Sequence, residues 1–403
     1  MVRKNPFILT GILIVLSTVA LILTGYLGFI LFANNILPFK YRAIGLGLGA
    51  LFALLFLGLA ILHGGRFQKV VGILLCSVLI FFLDVIILFA QSGMRALNEI
   101  QVADSSDPAA RPDDTKPSDA AVDVRNGSFV VYISGLDTYG AIEEQSRSDV
   151  NIVAAINSKT RKILMVSVPR DSYVPIGGDG QWEKDKLTHA GLYGVEASVA
   201  TLERVLDTKI DYYVRLNFTS FLEIIDVVGG ITVDNPESFV ANDGHYYPEG
   251  EVEMSGEEAL MFVRERYHLS EGDFGRQHNQ QLVIEAVFRK ILGPELVMRF
   301  QSIMDTVANS LQTNMPTHKI WDFVNAQMDH ADEWDFETIG IPGEGVVGLD
   351  SFAMPENKEL WFYELDEEGL TRVQKIFREV LDGKEVTLDT DQWSDTIRDG
   401  GAE

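Results

Sequence analysis

A chain of 403 residues with 47% hydrophobic content is long enough to bury one sizeable soluble domain and still have apolar length left over. Its 58 acidic residues against 33 basic ones give a formal net charge of -25, which excludes the basic face expected of a nucleic-acid binder; no helix-turn-helix pattern offsets it. The only cysteine, Cys76, falls in an apolar run, so the soluble part has no thiol for a disulfide or a thiolate metal site.

The surplus apolar length is at the front. ILTGILIVLSTVALILTGYLGFILFA, from Ile8 to Ala33, carries no charge, and further runs follow from Ala43 to Leu62 and from Val70 to Ala90. Each has roughly the 20 residues that cross a bilayer as a helix. A signal peptide would explain the first run alone, but no small-residue cleavage site follows it and two more runs come next. Residues 1–91 therefore read as an anchor of three transmembrane helices. Asp84 in the third either marks a helix contact or a functional role, or sits near the lipid interface. Arg3 and Lys4 precede the first run, and Arg66 and Lys69 separate the second from the third, against Lys40 and Arg42 in the opposing loop. That balance tilts toward a cytoplasmic N-terminus and an extracellular C-terminal part.

Residues 92–126, rich in Asp, Pro, Ala and Ser without apolar periodicity, read as a solvated linker. From residue 127 to 388 a domain is expected. SFVVYIS, DVNIVAAIN and KILMVSVP are short Val- and Ile-rich runs that predict strands, the last two as a hairpin across SKTR. A helix is expected in HAGLYGVEASVATLERVLD, a strand in DYYVRLN, and a helix in FTSFLEIIDVV that stops at Gly229 and Gly230. Ser255 and Glu258 make a capping box at the start of another. Helices over Gln277 to Leu292, Glu295 to Leu311 and Thr317 to Met328, a strand in DFETIGI and a helix in LTRVQKIFREVL complete the domain. Strands alternating with helices predict a mixed α/β fold with a layered sheet. Residues 389–403 read as an acidic disordered tail.

If the first three strands run up, down and up, the end of the first, the start of the second and the end of the third meet at one edge. Asp137, Asp149 and Arg170 stand at those points, and Arg147 lies in the intervening loop. Taken singly, these are also ordinary turn aspartates and solvated arginines. Two converging carboxylates repel unless a cation sits between them, and with hard oxygens and no thiol that cation is Mg2+. Arginines beside the pair would suit a phosphate.

FVRERYHLSEGDFGRQHNQQ, residues 262 to 281, is the other basic segment in this acidic chain. Arg264 and Arg266 are two apart, so they point together only if the chain is extended there, which predicts that the helix begun at Ser255 ends near Val263 and that Glu265 points away. Arg276 and Gln280 are four apart and share a face of a helix whose early turns favour an anion. A solvated basic face with salt bridges to Glu265, Glu271 and Asp273 is the alternative. His189, His268 and His278 have no metal-ligand spacing and read as loop or surface residues. GxSxG, HExxH and the P-loop are absent from the sequence.

SGLDTYG, SRSDVNI, SVPRDSYV, DKLTHA, IIDVVGGITVDNP, FVRERY and GDFGRQHNQQ, in that order, resemble the LytR-CpsA-Psr family of cell-wall enzymes. The resemblance covers roughly Ser128 to Leu381, including IPGEG, and three spans are the arrangement of capsule-associated members. Some of those carry an accessory domain, for which the linker here is too short. The resemblance implies an extracellular α/β domain with a mixed central sheet layered between helices. It implies transfer of a capsular or teichoic-acid type glycopolymer from an undecaprenyl pyrophosphate carrier to the C6 hydroxyl of muramic acid in peptidoglycan. By motif position Asp137 and Asp149 are the metal end of the site, with Mg2+ or Mn2+, and one of the two is the general base. Arg147, Arg170, Arg264, Arg266, Arg276 and Gln280 correspond to the pyrophosphate clamp, with Lys186 a further member. A tunnel between sheet and helices would hold the polyprenyl tail, walled by helices such as SFLEIIDVV, which also read as ordinary core. The bilayer and capsule or wall assembly proteins are the other expected partners. Hydrolysis of the same lipid, or lipid binding in a regulator without chemistry, are the alternatives.

Overall fold

A computed structural model describes residues 6–33, 39–61, 65–100, 122–142, 145–291, 311–329, 334–357, 359–386 and 388. The chain divides into two compact units, Met1–Arg95 with Thr317–Ala331, and Ala96–Pro316 with Asp332–Glu403.

In the first unit, α1 (Pro6–Ala33), α2 (Phe39–Ile61) and α3 (Arg66–Ile100) are each long and apolar enough to cross a membrane. Small residues sit where the helices approach: a Cβ on Gly49 would lie 3.2 Å from the Thr24 side chain, and one on Gly72 3.2 Å from Leu13. Lys69 Nζ donates to Thr10 Oγ1 at 2.6 Å and Gln91 Nε2 to the Tyr26 hydroxyl at 3.0 Å. Lys40 and Arg42, read from sequence as loop residues, belong to α2, where Arg42 is buried and donates to the Leu31 carbonyl at 3.2 Å. Asp84 is exposed and makes no hydrogen bond or ion pair among the described residues, so it does not hold this bundle together. A further helix, α9 (Thr317–Asp329), belongs to the same unit.

The second unit is built on a six-stranded sheet. β1 (Ser128–Leu136), β2 (Ser148–Asn157) and β3 (Lys162–Ser167) form the antiparallel meander expected of three short Val- and Ile-rich runs. β6 (Tyr212–Asn217) pairs parallel with β1 and β12 (Asp335–Gly340) parallel with β3, while β11 (Gln312–Thr313) closes the other edge against β6. The order β11-β6-β1-β2-β3-β12 is mixed, as read from the alternation of strands and helices. Two-stranded ribbons surround it: β4 (Tyr173–Pro175) with β5 (Lys184–Lys186), β7 (Ile231–Asn235) with β10 (Gly250–Met254), β8 (Phe239–Val240) with β9 (Tyr246–Tyr247), and β13 (Gly343–Val347) with β14 (Trp361–Leu365).

Because strand side chains alternate, each strand feeds two layers. Val130, Tyr132, Val153, Ala155, Leu164 and Val166 enter the main core with Val199, Leu202 and Leu206 of α5 (Val195–Leu206) and Val373, Phe377 and Val380 of α10 (Glu367–Leu381). On the opposite side of β1, Ile133 and Gly135 face a cavity shared with α6 (Phe218–Val227), α7 (Gly256–Arg264) and α8 (Asp273–Ile291).

Several boundaries differ from the sequence reading. α3 continues as helix to Ile100, inside the stretch read as linker, and at that stretch's other end Val122 and Val124 are buried, with Ser158 Oγ donating to the Val124 carbonyl at 2.7 Å. The helix expected over 189–207 is broken. A short α4 (Leu187–Ala190) and a 3-10 turn precede α5, because Gly194, at φ 95, starts α5 afresh. α8 begins at Asp273 rather than Gln277, directly after Gly272 at φ 55. His189 is not a surface residue: it is 3% exposed, and its Nδ1 donates to the buried Asp185 carboxylate at 2.9 Å. The helix expected over Glu295 to Leu311 lies, apart from Leu311, outside the described residues, as does the tail 389–403.

Candidate functional site

The site begins with an irregularity in the ladder. Gly135 pairs with Val150, but Leu136 pairs with Ser148, so Asp149 is an extra residue without a partner on β1. A bulge of this kind re-aims the side chain it carries. Only glycine fits opposite: a Cβ on Gly135 would lie 2.8 Å from the Val150 side chain. One residue past β1, Asp137 is exposed at the mouth of the same cavity.

Arg170 follows β3 in a turn closed by Ser172, whose N–H and Oγ both donate to the Pro169 carbonyl, at 3.0 and 2.7 Å. Its guanidinium donates to Asp149 Oδ1 at 2.8 Å and lies 3.5 Å from Asp171 Oδ2 through Nε. Burial works against the charged guanidinium, but Asp149 and Asp171 outweigh it and hold its pKa above the usual arginine value. Asp171 also accepts from Lys186 Nζ at 2.6 Å. Charges thus alternate along Asp149, Arg170, Asp171 and Lys186.

The second jaw comes from two helix ends. α7 starts with the expected capping box, Ser255 Oγ accepting from Glu258 N–H while Glu258 Oε2 accepts from Ser255 N–H at 2.8 Å. Its last helical residue is Arg264, one later than expected, and Glu265 is extended at φ -67, ψ 137. Glu265 does point away from the arginines: it is 2% exposed, and Oε1 accepts the N–H groups of Arg266 (2.9 Å), Tyr267 (2.9 Å) and His268 (3.2 Å) while Oε2 accepts that of Asn242 (3.0 Å). Burial pushes this carboxyl up, but the bonds from His268 and the backbone prevail and keep it below the usual glutamate range. Arg264 lies over the Phe218 ring at 4.7 Å and Arg266 over the Tyr267 ring at 4.4 Å.

In the first turn of α8, Arg276 pairs with Asp273 at 2.7 Å, and its buried Nε has no hydrogen-bond partner among the described residues. Burial depresses its pKa; Asp273 opposes that, and the neighbouring Arg170 and Arg266 depress it further. Gln280, one turn on, donates weakly to the Val263 carbonyl at 3.4 Å. Gln281, on the next position, bonds Ser167 Oγ at 3.0 Å and so ties α8 to β3.

These groups surround one cavity of about 350 Å³, lined by Asp137, Asp149, Arg170, Arg264, Arg266, Arg276 and Gln280 together with apolar residues including Phe218, Phe221, Leu260, Val263 and Ile284. That volume and mixed lining are those of a small-molecule site. Two residues grouped with these by sequence stand elsewhere. Arg147 is exposed and does not line the cavity. Lys186 is turned to Asp171 and lies over the Phe362 ring at 5.5 Å. Glu265 and Asp171 were missed as site residues; the run of backbone donors after α7 is a signal visible only once the helix end is placed. Among the described residues no group of three His, Cys, Asp or Glu side chains converges as a metal cage.

The profile of the LytR_cpsA_psr family matches residues 96–376. A relative from Bacillus licheniformis, polyisoprenyl-teichoic acid--peptidoglycan teichoic acid transferase TagU, is 31% identical over 269 residues, 66% of this chain and 83% of that protein. TagU from Bacillus subtilis is 30% identical over 275 residues, 67% of this chain and 84% of its own length. Among solved structures, B. subtilis TagV aligns with a TM-score of 0.53 at 28% identity, over 64% of this chain and 98% of that one. TagT bound to LI-WTA aligns with a TM-score of 0.50 at 26% identity, over 65% and 93%. A bulged β1–β2 edge facing two arginine-bearing helix ends is thus set in a sheet shared with these proteins, and the chain belongs to the LytR_cpsA_psr family.

Proposed function

We propose that the protein is a glycopolymer transferase that takes a capsular or teichoic-acid type polymer from an undecaprenyl pyrophosphate carrier and joins it to the C6 hydroxyl of muramic acid in peptidoglycan. The observation that carries this is the crowding of Arg170, Arg266 and Arg276 at a cavity that also has an apolar wall of residues such as Phe221, Leu260 and Ile284. Arg170 and Arg266 depress the Arg276 pKa, a polyanion among the three relieves that repulsion, and the apolar part of the wall suits an isoprenoid tail. The names of the TagU relatives, which couple a polyisoprenyl-linked teichoic acid to peptidoglycan, support the same reading.

Asp137 and Asp149 fit Mg2+: two hard carboxylates on one cavity match an ion that keeps waters and phosphate oxygens as its other ligands. Held by those two residues, the ion would neutralise charge on the phosphates. The arginines orient the pyrophosphate and stabilise charge on the departing lipid phosphate. The muramic oxygen forms a bond to the glycan-side phosphorus, and the bond from that phosphorus to the bridging oxygen breaks, releasing undecaprenyl phosphate. Asp149 is committed to Arg170, whereas Asp137 is exposed and free of hydrogen bonds among the described residues, so Asp137 takes the hydroxyl proton. The basic residues flanking the first three helices favour a cytoplasmic N-terminus with this domain outside the cell.

The test incubates the purified chain with a short undecaprenyl-pyrophosphate glycan, peptidoglycan oligomers and Mg2+. Peptidoglycan-linked glycan phosphate is expected, and its loss in Arg266→Ala. Free glycan phosphate as the sole product would mean hydrolysis; no product, with lipid binding unchanged in Arg266→Ala, refutes the proposal.

A further inference from the structure

We infer that Tyr139, together with Tyr267, forms a saccharide-stacking rim outside the arginine clamp that holds the first sugar of the donor glycan. The inference rests on the function proposed above. Neither tyrosine lines the cavity, yet each is in ring contact with a residue that does. Tyr139 lies 5.1 Å from the Phe218 ring in an edge-on arrangement, and Phe218 carries the Arg264 guanidinium on its ring; Tyr267 lies under the Arg266 guanidinium.

Both rings are left open to solvent, Tyr139 at 63% and Tyr267 at 71% exposure. Single exposed aromatics are common, but Tyr139 is not a stray side chain on a loose loop. The backbone on each side of it is pinned to the start of α6. Phe218 N–H donates to the Thr138 carbonyl at 3.0 Å, Gly140 N–H to Thr219 Oγ1 at 3.0 Å, and Asn217 Nδ2 to the Gly140 carbonyl at 2.8 Å. The fold therefore spends three hydrogen bonds on presenting an aromatic face to water, beside a cation-lined opening.

The chemistry gathered at the site points to the occupant. The cavity is lined by apolar residues, Phe221, Leu260 and Ile284 among them, and by charged ones, and the two exposed rings touch its Phe218 and Arg266. A lipid-linked glycan has three parts of matching chemistry: an isoprenoid tail, a pyrophosphate and a sugar. With the phosphates on Arg264 and Arg266, the sugar bonded to them lies beside Tyr267, which touches Arg266, and beside Phe218, which touches Arg264 and in turn Tyr139. The C–H face of a pyranose packs on an aromatic face as another apolar ring does, and such contacts are worth enough to shift affinity about two- to tenfold.

The full-length chain in lipid nanodiscs is titrated with undecaprenyl pyrophosphate and with undecaprenyl pyrophosphate bearing one N-acetylhexosamine. The unaltered protein is expected to bind the sugar-bearing lipid several-fold more tightly. Tyr139→Ala should reduce that preference toward unity while leaving the affinity for the sugar-free lipid unchanged, Tyr267→Ala should do so in part, and Tyr139→Phe, which keeps the ring, should retain it. Equal affinity of the unaltered protein for both lipids, or an equal loss for both in Tyr139→Ala, overturns this inference alone. Binding of neither lipid by the unaltered protein overturns the proposed function and the rim with it.

Discussion

Removing the Glu265 carboxylate should loosen the turn between the two helix ends that carry the arginines. In Glu265→Ala, four backbone N–H groups, those of Asn242, Arg266, Tyr267 and His268, lose their acceptor at once. An unsatisfied buried donor costs about 1–3 kcal/mol, but Tyr267 and His268 lie at the surface where water can replace the carboxylate. A local loss of roughly 2–3 kcal/mol follows, which by the tenfold-per-1.4 rule is about thirty- to hundredfold faster amide exchange over residues 266–268. Glu265→Gln keeps one acceptor oxygen and sets an amide against a donor, so it should fall between the two. The sign of the pH dependence also follows. The folded carboxyl titrates below its ordinary 4.5, so its contribution is complete above that value and is lost as pH falls through the depressed folded pKa. The gap between wild type and Glu265→Ala should be full at pH 6 and shrink in acid. Hydrogen exchange read residue by residue is the assay. Unchanged protection of the Arg266 and Tyr267 amides in Glu265→Ala would refute the capping role.

Gly135→Ala should cost about 1–3 kcal/mol by overpacking, because its Cβ would meet Val150 at 2.8 Å, and should lower donor binding as the bulge opens; thermal unfolding and lipid titration report the two effects separately. Arg170→Lys removes the planar fork that reaches Asp149 and Asp171 together, and should raise the KM for the lipid donor about tenfold, measured under saturating acceptor. Asp171→Asn leaves Lys186 without its ion-pair partner and Arg170 without its Nε contact. A drop in kcat/KM of about fivefold is expected, on the order of 1 kcal/mol for a partly buried pair, with the fold's circular dichroism unchanged.

Much of this arrangement is legible in the amino-acid order, for identifiable reasons. The three helices long and apolar enough to cross a membrane follow from uninterrupted apolar length, and the meander from short β-branched runs joined by polar turns. The spacing of Arg264 and Arg266 was informative because only extended backbone aims residues two apart to one side, and α7 does stop at Arg264. What escaped the sequence depends on pairing. Asp149 is an unpaired bulge residue only because Leu136 skips to Ser148, a register no single strand encodes. Motif order placed Arg147 and Lys186 with the clamp, but it carries no information on side-chain direction, and the structure turns one to solvent and the other to Asp171. Ribbons such as GEVEM and GEGVV hid behind glycine and acidic residues that depress strand propensity. His189, polar by type, was expected outside; a buried carboxylate, Asp185, also bonded by Ser351 Oγ and the Ala353 N–H, makes its interior place tolerable.

The alternation along β1 has a consequence for how such a protein diversifies. Val130 and Tyr132 are committed to the main core, whereas Ile133 and Gly135, interleaved on the same strand, face the cavity. Stability and ligand fit are therefore inscribed on alternate letters of one short word. A lineage, or an engineer, is free to reshape Ile133 with Phe221 and Leu260 to admit a ligand of different apolar shape while the neighbouring letters keep the sheet intact.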